Sequence, residues 1–287
     1  MERLRQKTAG NYALSVVATN EDGVLVTPAA PVTLAITDGA GTAVGTGPYT
    51  GTAACGSITA AVPVADLAEL DLYTCVWTDD DGAEWTSYVE LCGGYLVELS
   101  DLRDLDALYA NESKYPAARL RAARTAAEVR FEAAAGVAMV PRCNRVRLIG
   151  DGGYRIVVPN MAVRSVRSIT VDDGTGAVAL TADELAALTV REWGAIDHTD
   201  GTVWEDADVI EVCYEHGLDY PPATVREAML LLVPEYLTRK ALASRATAEV
   251  TDVGTFRLSV AGARNPTGIP EVDRIAADVG RAPLMVS

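Results

Sequence analysis

The spacing of apolar positions in the first third of the chain is that of β-strands. Runs rich in Val, Thr, Ile and Tyr alternate apolar and polar residues, and turn-forming clusters such as NEDG and DDDG separate them. The runs are YALSVVAT, VTLAITD, GSITAAVPV, LYTCVWTD and EWTSYVELC. Asp81-Gly82 predicts a hairpin tip between the last two. About seven short strands within some eighty residues favour a small Ig-like β-sandwich.

A helical periodicity replaces this alternation after Gly93-Gly94. Ser100 is suited to cap a short helix, and a longer helix is predicted from Pro116 to Gly136. Its apolar positions recur at steps of three and four residues. They are Leu120, Ala123, Ala127, Phe131 and Ala134. This stripe is narrow and mostly alanine, so we expect a partner helix to approach it closely.

The other faces of the long helix carry charged residues. These are Arg119, Arg121, Arg124 and Arg130, with Glu128 and Glu132 interleaved. Such a face is usually in contact with solvent. Arg124 and Glu128 are four residues apart, and a pair at this spacing contributes only about 0.3 kcal/mol to helix stability. Taken alone, the segment predicts an ordinary amphipathic helix.

A second β region is predicted beyond Gly136. RVRLI and YRIVV flank the glycine-rich sequence GDGG at residues 150–153, which favours a β-hairpin. Further short strands are expected in AVRSVRSITVDD, AVALTADE, VREWG, GTVWED and DVIEVCYEHG. The last major helix is predicted to begin at Pro222 and to continue to Ala246. Its MLLLV sequence at 229–233 is apolar on every side, and Pro234 is expected to kink it.

The segment from Thr247 to Ser287 is predicted to be an extended arm, because glycine and proline recur along it. Ile269, Val272 and Ile275 are spaced by three residues, as on the apolar edge of a short helical turn that begins at Pro270. Three such side chains bury too little surface to fold the arm alone. We therefore expect the arm to become ordered on another surface, with NPTGIPEVDRI as its anchoring segment.

Composition limits the classes of protein that the chain can represent. It has 287 residues, enough for about two domains, and its formal net charge is −16. So acidic a surface repels phosphate, which argues against sequence-specific DNA binding. No apolar run is long enough for a membrane span, and the N-terminal sequence lacks the apolar core of a secretion signal. We therefore expect the protein to be made in the cytoplasm, and we expect no association with a membrane.

The residues that most often carry chemistry are sparse and scattered. The five cysteines include no CxxC pair, which disfavours a zinc site or a disulfide framework, although a Cys75–Cys92 or Cys55–Cys92 bridge stays open. His198 and His216 have no nucleophile motif beside them. GDGG lacks the lysine and helix of a phosphate loop, and DDDG lacks the EF-hand spacing. The expectation is no catalytic residue, no cofactor and no metal.

The order of elements in residues 96–287 resembles the head-to-tail connector (adaptor) proteins of long-tailed, siphovirus-type bacteriophages, notably those infecting actinobacteria. The long helix ends in GVAMVPR and is followed by VRSVRSITVDDG. The most specific features are the YEHG sequence at 214–217 with Pro221-Pro222, and TGIPEVD at 267–273. Residues 1–95 lie outside this resemblance and are interpreted as an added Ig-like module.

The resemblance implies a non-enzymatic virion protein of the phage neck, assembled in the host cytoplasm. Such adaptors form a ring, usually of twelve subunits, between the portal protein and the stopper or tail-terminator protein, and genomic DNA passes through the channel without specific binding. The expected fold class is α+β multidomain. Residues 1–95 would be the β-sandwich, 96–246 a helical-bundle adaptor domain with an inserted β region, and 247–287 the arm.

Candidate residues for contacts with a neighbouring subunit or the portal follow from the helices and the arm. They are Arg119, Arg121, Arg124, Leu231, Leu232, Ile269, Pro270, Val272 and Ile275. The alternative is a host-surface or carbohydrate-binding module of a phage tail or baseplate, which would need exposed aromatic residues such as Trp85 and Tyr88. A third class, an uncharacterised enzyme, would require a pocket with perturbed carboxylates.

Overall fold

The computed structural model describes residues 1–54, 56–237, 248–251, 254–257 and 265–281. Its contacts divide the chain into two compact units, Met1–Gly94 and Tyr95–Ser287. The first unit is built on one large curled sheet, and the second combines helices with smaller sheets. The protein is therefore of mixed α and β class.

Within its described residues, the first unit has seven strands joined into one sheet in the order β1-β7-β6-β3-β4-β5-β2. The strands are β1 (Glu2–Arg5), β2 (Asn11–Val17), β3 (Val32–Thr37), β4 (Tyr49–Ala54), β5 (Ser57–Pro63), β6 (Leu72–Thr78) and β7 (Glu84–Cys92). β1 and β7 are parallel, and the other neighbouring strands are antiparallel. Edge strand β2 also contacts β7, so the sheet curls around its core.

The alternating pattern places one face of each strand in this core. On β6, Tyr73, Cys75 and Trp77 are buried together, as their period-two spacing predicts. The predicted hairpin tip between β6 and β7 is confirmed: the Asp79 N–H donates to the carbonyl of Ala83 across the turn. Burying an aromatic or branched side chain contributes roughly 1.5–3 kcal/mol before entropy costs, so this row stabilises the unit substantially.

The helices of the second unit are centred on one long helix. They are α1 (Leu99–Leu105), α2 (Ala107–Ala110), α3 (Ala117–Ala135), α4 (Ala182–Ala187), α5 (Ala223–Leu237) and α6 (Pro270–Arg281). α3, α5 and α6 pack against one another. α3 ends at Gly136, which has the predicted left-handed conformation with φ 72°.

The predicted start of the first helix is wrong. α1 is capped by Glu98 rather than Ser100, because Glu98 and Asp101 accept each other's backbone N–H groups in a capping box. α5 is described only as far as Leu237, and the predicted continuation to Ala246 lies outside the described residues.

The strands of the second unit form small sheets. They are β8 (Arg142–Ile149), β9 (Arg155–Val157), β10 (Val163–Asp172), β11 (Ala177–Ala179), β12 (Thr189–Val190), β13 (Ala195–Asp197), β14 (Val209–His216), β15 (Ala248–Thr251) and β16 (Gly254–Arg257). Their orders are β11-β10-β14-β8, β12-β13-β9 and β15-β16. One face of β10 and β14 packs over a core that includes Ile169, Val212 and Trp204.

The predicted hairpin between β8 and β9 is wrong. β8 pairs with β14, and β9 pairs with β13 in a different sheet. The glycine-rich loop between them bonds to a distant loop instead: the Gly150 N–H donates to Asp208, and the Gly152 N–H donates to Trp204. A Cβ at Gly150 would lie 2.0 Å from the carbonyl oxygen of Glu205, so the glycine permits this close approach.

The prediction of an extended arm is wrong over residues 270–281. This segment forms α6, longer than the predicted turn, although Pro270 does occupy its first position. Val272, Ile275, Ala276 and Val279 are buried in the same chain, where α6 packs on α3 and α5. Their spacing of three and four residues gives a continuous apolar face, which the helix core of the second unit covers.

The packing of α6 on α3 leaves no room for a larger residue at Gly280. A Cβ at this position would lie 2.1 Å from the carbonyl oxygen of Ala135. We expect Gly280→Ala to lower the free energy of unfolding of the second unit by about 1–3 kcal/mol, measured by urea denaturation. Removing the residues after Gly262 should destabilise it further, because the deletion removes buried Val272 and Ile275.

A matched control for this prediction is Ala277→Ser, an exposed change in the same helix. Equal urea midpoints for the Gly280 and Ala277 variants would contradict the packing of α6 on α3.

Candidate subunit interface

The charged face of α3 is in large part internal. Arg124 and Glu128 are each 1% exposed and form an ion pair with Nε and Oε1 3.9 Å apart. The Arg124 guanidinium lies 3.4 Å from the centre of the Tyr95 ring, and the Leu96 N–H donates to Glu128 at 3.0 Å. Buried charges require such partners. The predictions that Arg124 contacts another subunit and that this face is in solvent are therefore wrong at these residues.

A second buried carboxylate fixes the end of α3. Glu132 accepts a hydrogen bond from the Met139 N–H at 3.0 Å and another from Arg142 at 2.5 Å. The chain is therefore held as it leaves the helix and starts β8. Gly217 lies beside the same segment with φ 104°, and a Cβ there would be 2.2 Å from the carbonyl oxygen of Val140.

Two further arginines of α3 hold neighbouring helices of the same chain. Arg119 donates to the carbonyl oxygen of Leu237, the last residue of α5, at 2.9 Å. Arg130 donates to the carbonyl oxygen of Pro266, shortly before α6, at 2.8 and 3.0 Å. Each arginine therefore binds a backbone carbonyl oxygen of another segment of the second unit. Arg119 thus has an internal role, whereas Arg121 is exposed.

The outward face of α3 carries small, uncharged residues, which we call the α3 stripe. Its members are Ala118, Ala122, Thr125, Val129 and Ala133, at steps of three and four residues. Val129 is 45% exposed, and the alanines of the stripe are exposed. The sequence pattern did not predict this stripe, because alanines occur on several faces of α3 and do not show which face is exposed.

The outward face of α5 is apolar with an acidic margin, and we call it the α5 stripe. Its members are Glu227, Leu230, Leu231 and Pro234. Leu231 is 43% exposed, but Leu232 is 1% exposed and belongs to the core, so its prediction as an interface residue is wrong. α3 and α5 pack against each other, and the two stripes lie on the exposed sides of these helices.

The segment predicted to anchor the arm forms the start of α6. The Thr267 N–H donates to Asp273 at 2.8 Å, and the Ile269 N–H donates to the Thr267 hydroxyl at 3.3 Å. Pro270 is exposed and Ile269 is half-buried. Val272 and Ile275, both predicted interface residues, are covered by the chain's own helices, as described above. TGIPEVD therefore acts as a helix cap within the chain.

An exposed aromatic cluster lies on the sheet of β9 and β13. Tyr154 is 54% exposed and Trp193 is 45% exposed, and the Arg155 guanidinium lies 5.5 and 5.2 Å from their ring centres. This cluster was not predictable from sequence spacing, because its members come together only through the pairing of β9 with β13. Of the two predicted platform residues, Tyr88 is 50% exposed, whereas Trp85 packs against the first core and its indole N–H donates to the carbonyl oxygen of Thr19.

The arginines of this cluster are held by one buried carboxylate. Asp197 accepts hydrogen bonds from Arg155 at 2.6 and 2.9 Å and from Arg191 at 2.9 Å. The hydrogen bonds from Arg155 lower the pKa of Asp197 to about 2, with Arg191 adding to the effect and burial opposing it. Arg155 is thereby fixed in position between the two rings.

The two histidines, which were weighed as catalytic candidates, pack against aromatic rings. The His198 ring packs on Trp204 with centroids 4.2 Å apart, and buried His216 lies beside Tyr214. Among the described residues, no group of three or more His, Cys, Asp or Glu side chains is arranged to hold a metal ion. None of the described helices is long and apolar enough to cross a membrane.

Comparison with known proteins finds matches among solved structures. No family model matches the chain, and no curated protein matches it. Among the solved structures that match is a chain of "Neck of empty GTA particle computed with C6 symmetry". It is 19% identical, with a TM-score of 0.41, and the match covers 52% of this chain and 82% of that chain.

The Asp197 cluster predicts a specific pH dependence. Because the folded-state pKa of about 2 lies below the ordinary value, ionised Asp197 stabilises the fold above about pH 4, and this contribution is lost as the pH falls towards 2. We expect Asp197→Asn to lower the melting temperature at pH 7 and to reduce its dependence on pH between 4 and 2. Thermal unfolding of both proteins across this range measures the difference.

The exposed carboxylate of Asp206 provides the control, because Asp206→Asn removes a charge from a nearby loop without touching the arginines. Identical melting profiles for the Asp197 and Asp206 variants would show that the ionised Asp197 does not stabilise the cluster.

Proposed function

We propose that this chain is a non-enzymatic structural protein of a phage neck and that its second unit packs side by side with identical subunits. The observation that carries the proposal is the pair of outward stripes on α3 and α5. The α3 stripe consists of small, uncharged residues, and the α5 stripe contains exposed Leu231 and half-buried Pro234. Small residues let a partner helix approach closely, and the leucine gains free energy when it is covered.

The presence of the two stripes on different helices favours a repeating contact between subunits. A contact between the α3 stripe of one copy and the α5 stripe of the next uses two different surfaces of the same subunit. Such a heterologous contact adds subunits in one rotational sense until a ring closes. The sequence resemblance to connector proteins supports a closed ring of about twelve copies. In that arrangement the ring lies between the portal and the stopper or tail-terminator protein.

The internal ion pairs support this role by making the helix core a preformed surface. Arg119 and Arg130 attach α5 and α6 to α3 through backbone carbonyls, and the carboxylate of Glu128 bonds to the segment before α1. A surface that is already ordered loses less conformational entropy when it binds. The stripes therefore need little rearrangement on assembly.

We further propose that the first unit is an Ig-like sandwich added to the connector unit. The hydroxyl of Tyr73 donates to the carbonyl oxygen of Glu69 at 2.7 Å, and Tyr73 stands two residues before Cys75. This hydrogen bond resembles the tyrosine corner of Ig-like domains, in which a tyrosine near the start of a strand bonds to the backbone a few residues upstream. The parallel pairing of β1 with β7 also fits such a sandwich. A module of this kind would decorate the neck.

The acidic charge suits a channel through which DNA moves. With a net charge of −16 for each chain, a ring carries a strongly negative field, so duplex DNA does not adhere to it. The proposed location is the virion neck after assembly in the host cytoplasm, with DNA as a passing polymer rather than a bound ligand.

A second candidate function is favoured by one observation, the exposure of Tyr154 and Trp193. Aromatic rings held by a fixed arginine suit contact with a carbohydrate or another host-surface molecule. Glycan-array binding that is lost in Trp193→Ala would support a tail or baseplate module. An equal and negligible signal from both proteins would argue against it.

We expect Leu231→Asp to prevent ring formation, because it places an unpaired carboxylate in an apolar contact. The isolated subunit should melt near the wild-type temperature, since Leu231 is already 43% exposed. Cryo-electron microscopy of particles assembled with the variant, together with sedimentation of the purified chain, measures the effect.

The matched control is Leu105→Asp, because Leu105 is also 43% exposed but lies on α1. It should leave the ring intact. Particles with complete necks in the Leu231 variant would refute the proposed interface, and failure of both variants would mean that the two stripes are not the specific contact.

Duplex DNA should not bind the purified protein at about 0.15 M salt, because acidic side chains outnumber basic ones. Fluorescence anisotropy with a labelled random-sequence duplex tests this. Tight, salt-sensitive binding that weakens in an Arg121→Ala or Arg147→Ala variant would reveal a basic site and contradict the proposal of a passive channel.

A further inference from the structure

We propose that Cys143 and Cys213 form a disulfide bond when the protein leaves a reducing environment, and that this bond locks β8 to β14. The two residues are 70 positions apart in sequence, and their sulfur atoms are 3.4 Å apart. This pair differs from the bridges that the sequence left open, Cys75–Cys92 and Cys55–Cys92. In the structure, Cys75, Cys92, Cys143 and Cys213 are thiols, and Cys55 lies outside the described residues.

The register of the two strands brings these thiols together. Cys143 pairs with Glu215, and Cys213 pairs with Arg145. Residues two positions apart on a strand share a face, so Cys143 and Cys213 are diagonal neighbours on one face of the sheet. The sulfur atoms need to approach by about 1.4 Å to reach the length of a disulfide bond. Side-chain rotation and small strand movements can supply a displacement of this size.

The exposure of the two thiols sets the order of the reaction. Cys143 is half-buried, so an external disulfide can reach it, whereas Cys213 is 5% exposed. The Cys143 thiolate attacks a low-molecular-weight disulfide, forming a mixed disulfide and releasing one thiolate. The Cys213 thiolate then attacks the Cys143 sulfur and releases the second. Two protein thiols and one small disulfide thus become one protein disulfide and two small thiols.

The other described cysteines are poorly placed for this chemistry. Burial raises the pKa of Cys75 to about 12, so its thiolate is scarce at neutral pH. Cys92 is buried, and its sulfur lies 3.1 Å from the carbonyl oxygen of Gly94. Oxidation should therefore select the pair on β8 and β14.

The bond would connect two strands that adjoin the helices of the second unit. β8 follows the segment that Glu132 holds at the end of α3, and β14 leads towards α5. A cross-link between them closes a long loop and so restricts the unfolded chain. Resting on the proposed function, the thiols stay reduced during assembly in the host cytoplasm, and the bond forms in the released particle.

The test uses the purified full-length protein, reduced and then incubated with oxidised glutathione at about pH 8. We expect the loss of two titratable thiols, a cross-linked peptide pair containing Cys143 and Cys213, and a rise in Tm of at least about 5 °C. Cys213→Ser should accumulate glutathione on Cys143, whereas Cys143→Ser should lose both the cross-link and the rise in Tm. Cys75→Ser is the control and should still form the bond.

Glutathione that stays on Cys143 of the unaltered protein, or a cross-link through Cys75 or Cys92, would overturn the inference. Differential alkylation of particles before and after release then tests the timing, and we expect thiols before release and the disulfide afterwards. If the purified chain forms the bond but particles before and after release contain it equally, the proposed timing is refuted. If the chain is missing from particles but still forms the bond, the proposed function fails and the disulfide stands.

Discussion

The second unit depends on two carboxylates buried along one side of α3. Glu128 accepts the backbone N–H of Leu96 before the helices begin, and Glu132 accepts that of Met139 after α3 ends. Each carboxylate also faces an arginine, Arg124 or Arg142, so that neither charge is buried alone. α3 thereby fixes two segments of the chain, the one before α1 and the one that follows α3 itself. Removing either carboxylate would leave a buried arginine without its counter-ion and a backbone N–H without its acceptor, which is why such pairs are costly to break.

Local pattern was sufficient to predict much of the fold. The period-two runs before Gly94 correspond to strands β2, β3, β5, β6 and β7, because alternation is decided by residues a few positions apart. The bounds of α3 followed from Pro116 and Gly136, whose backbone preferences act without help from the rest of the chain. The role of Pro270 at the first position of α6 was predictable for the same reason.

Contacts between residues distant in sequence were not predictable from the pattern of apolar and polar positions. β8 and β9 have the composition of a hairpin, yet β8 pairs with β14, because the intervening glycine loop bonds to residues 204–208. The burial of Arg124 could not be inferred from helix position, since it depends on Tyr95 and Glu128 closing over it. Val272 and Ile275 were recognised as an apolar edge, but sequence spacing does not say whether the covering surface belongs to the same chain. The meeting of Cys143 with Cys213 likewise required the strand register.

The inner packing of α3 on α5 also determines the angle between the two outward stripes. In a closed ring of identical subunits, that angle fixes the rotation from one copy to the next, which is about 30° for twelve copies and about 33° for eleven. A difference of only about 3° separates the two symmetries, comparable with the ordinary scatter of helix crossing angles. If the chain forms the proposed ring, buried residues of the helix core, such as Ala127 on α3 and Leu232 on α5, would therefore influence how many copies close it.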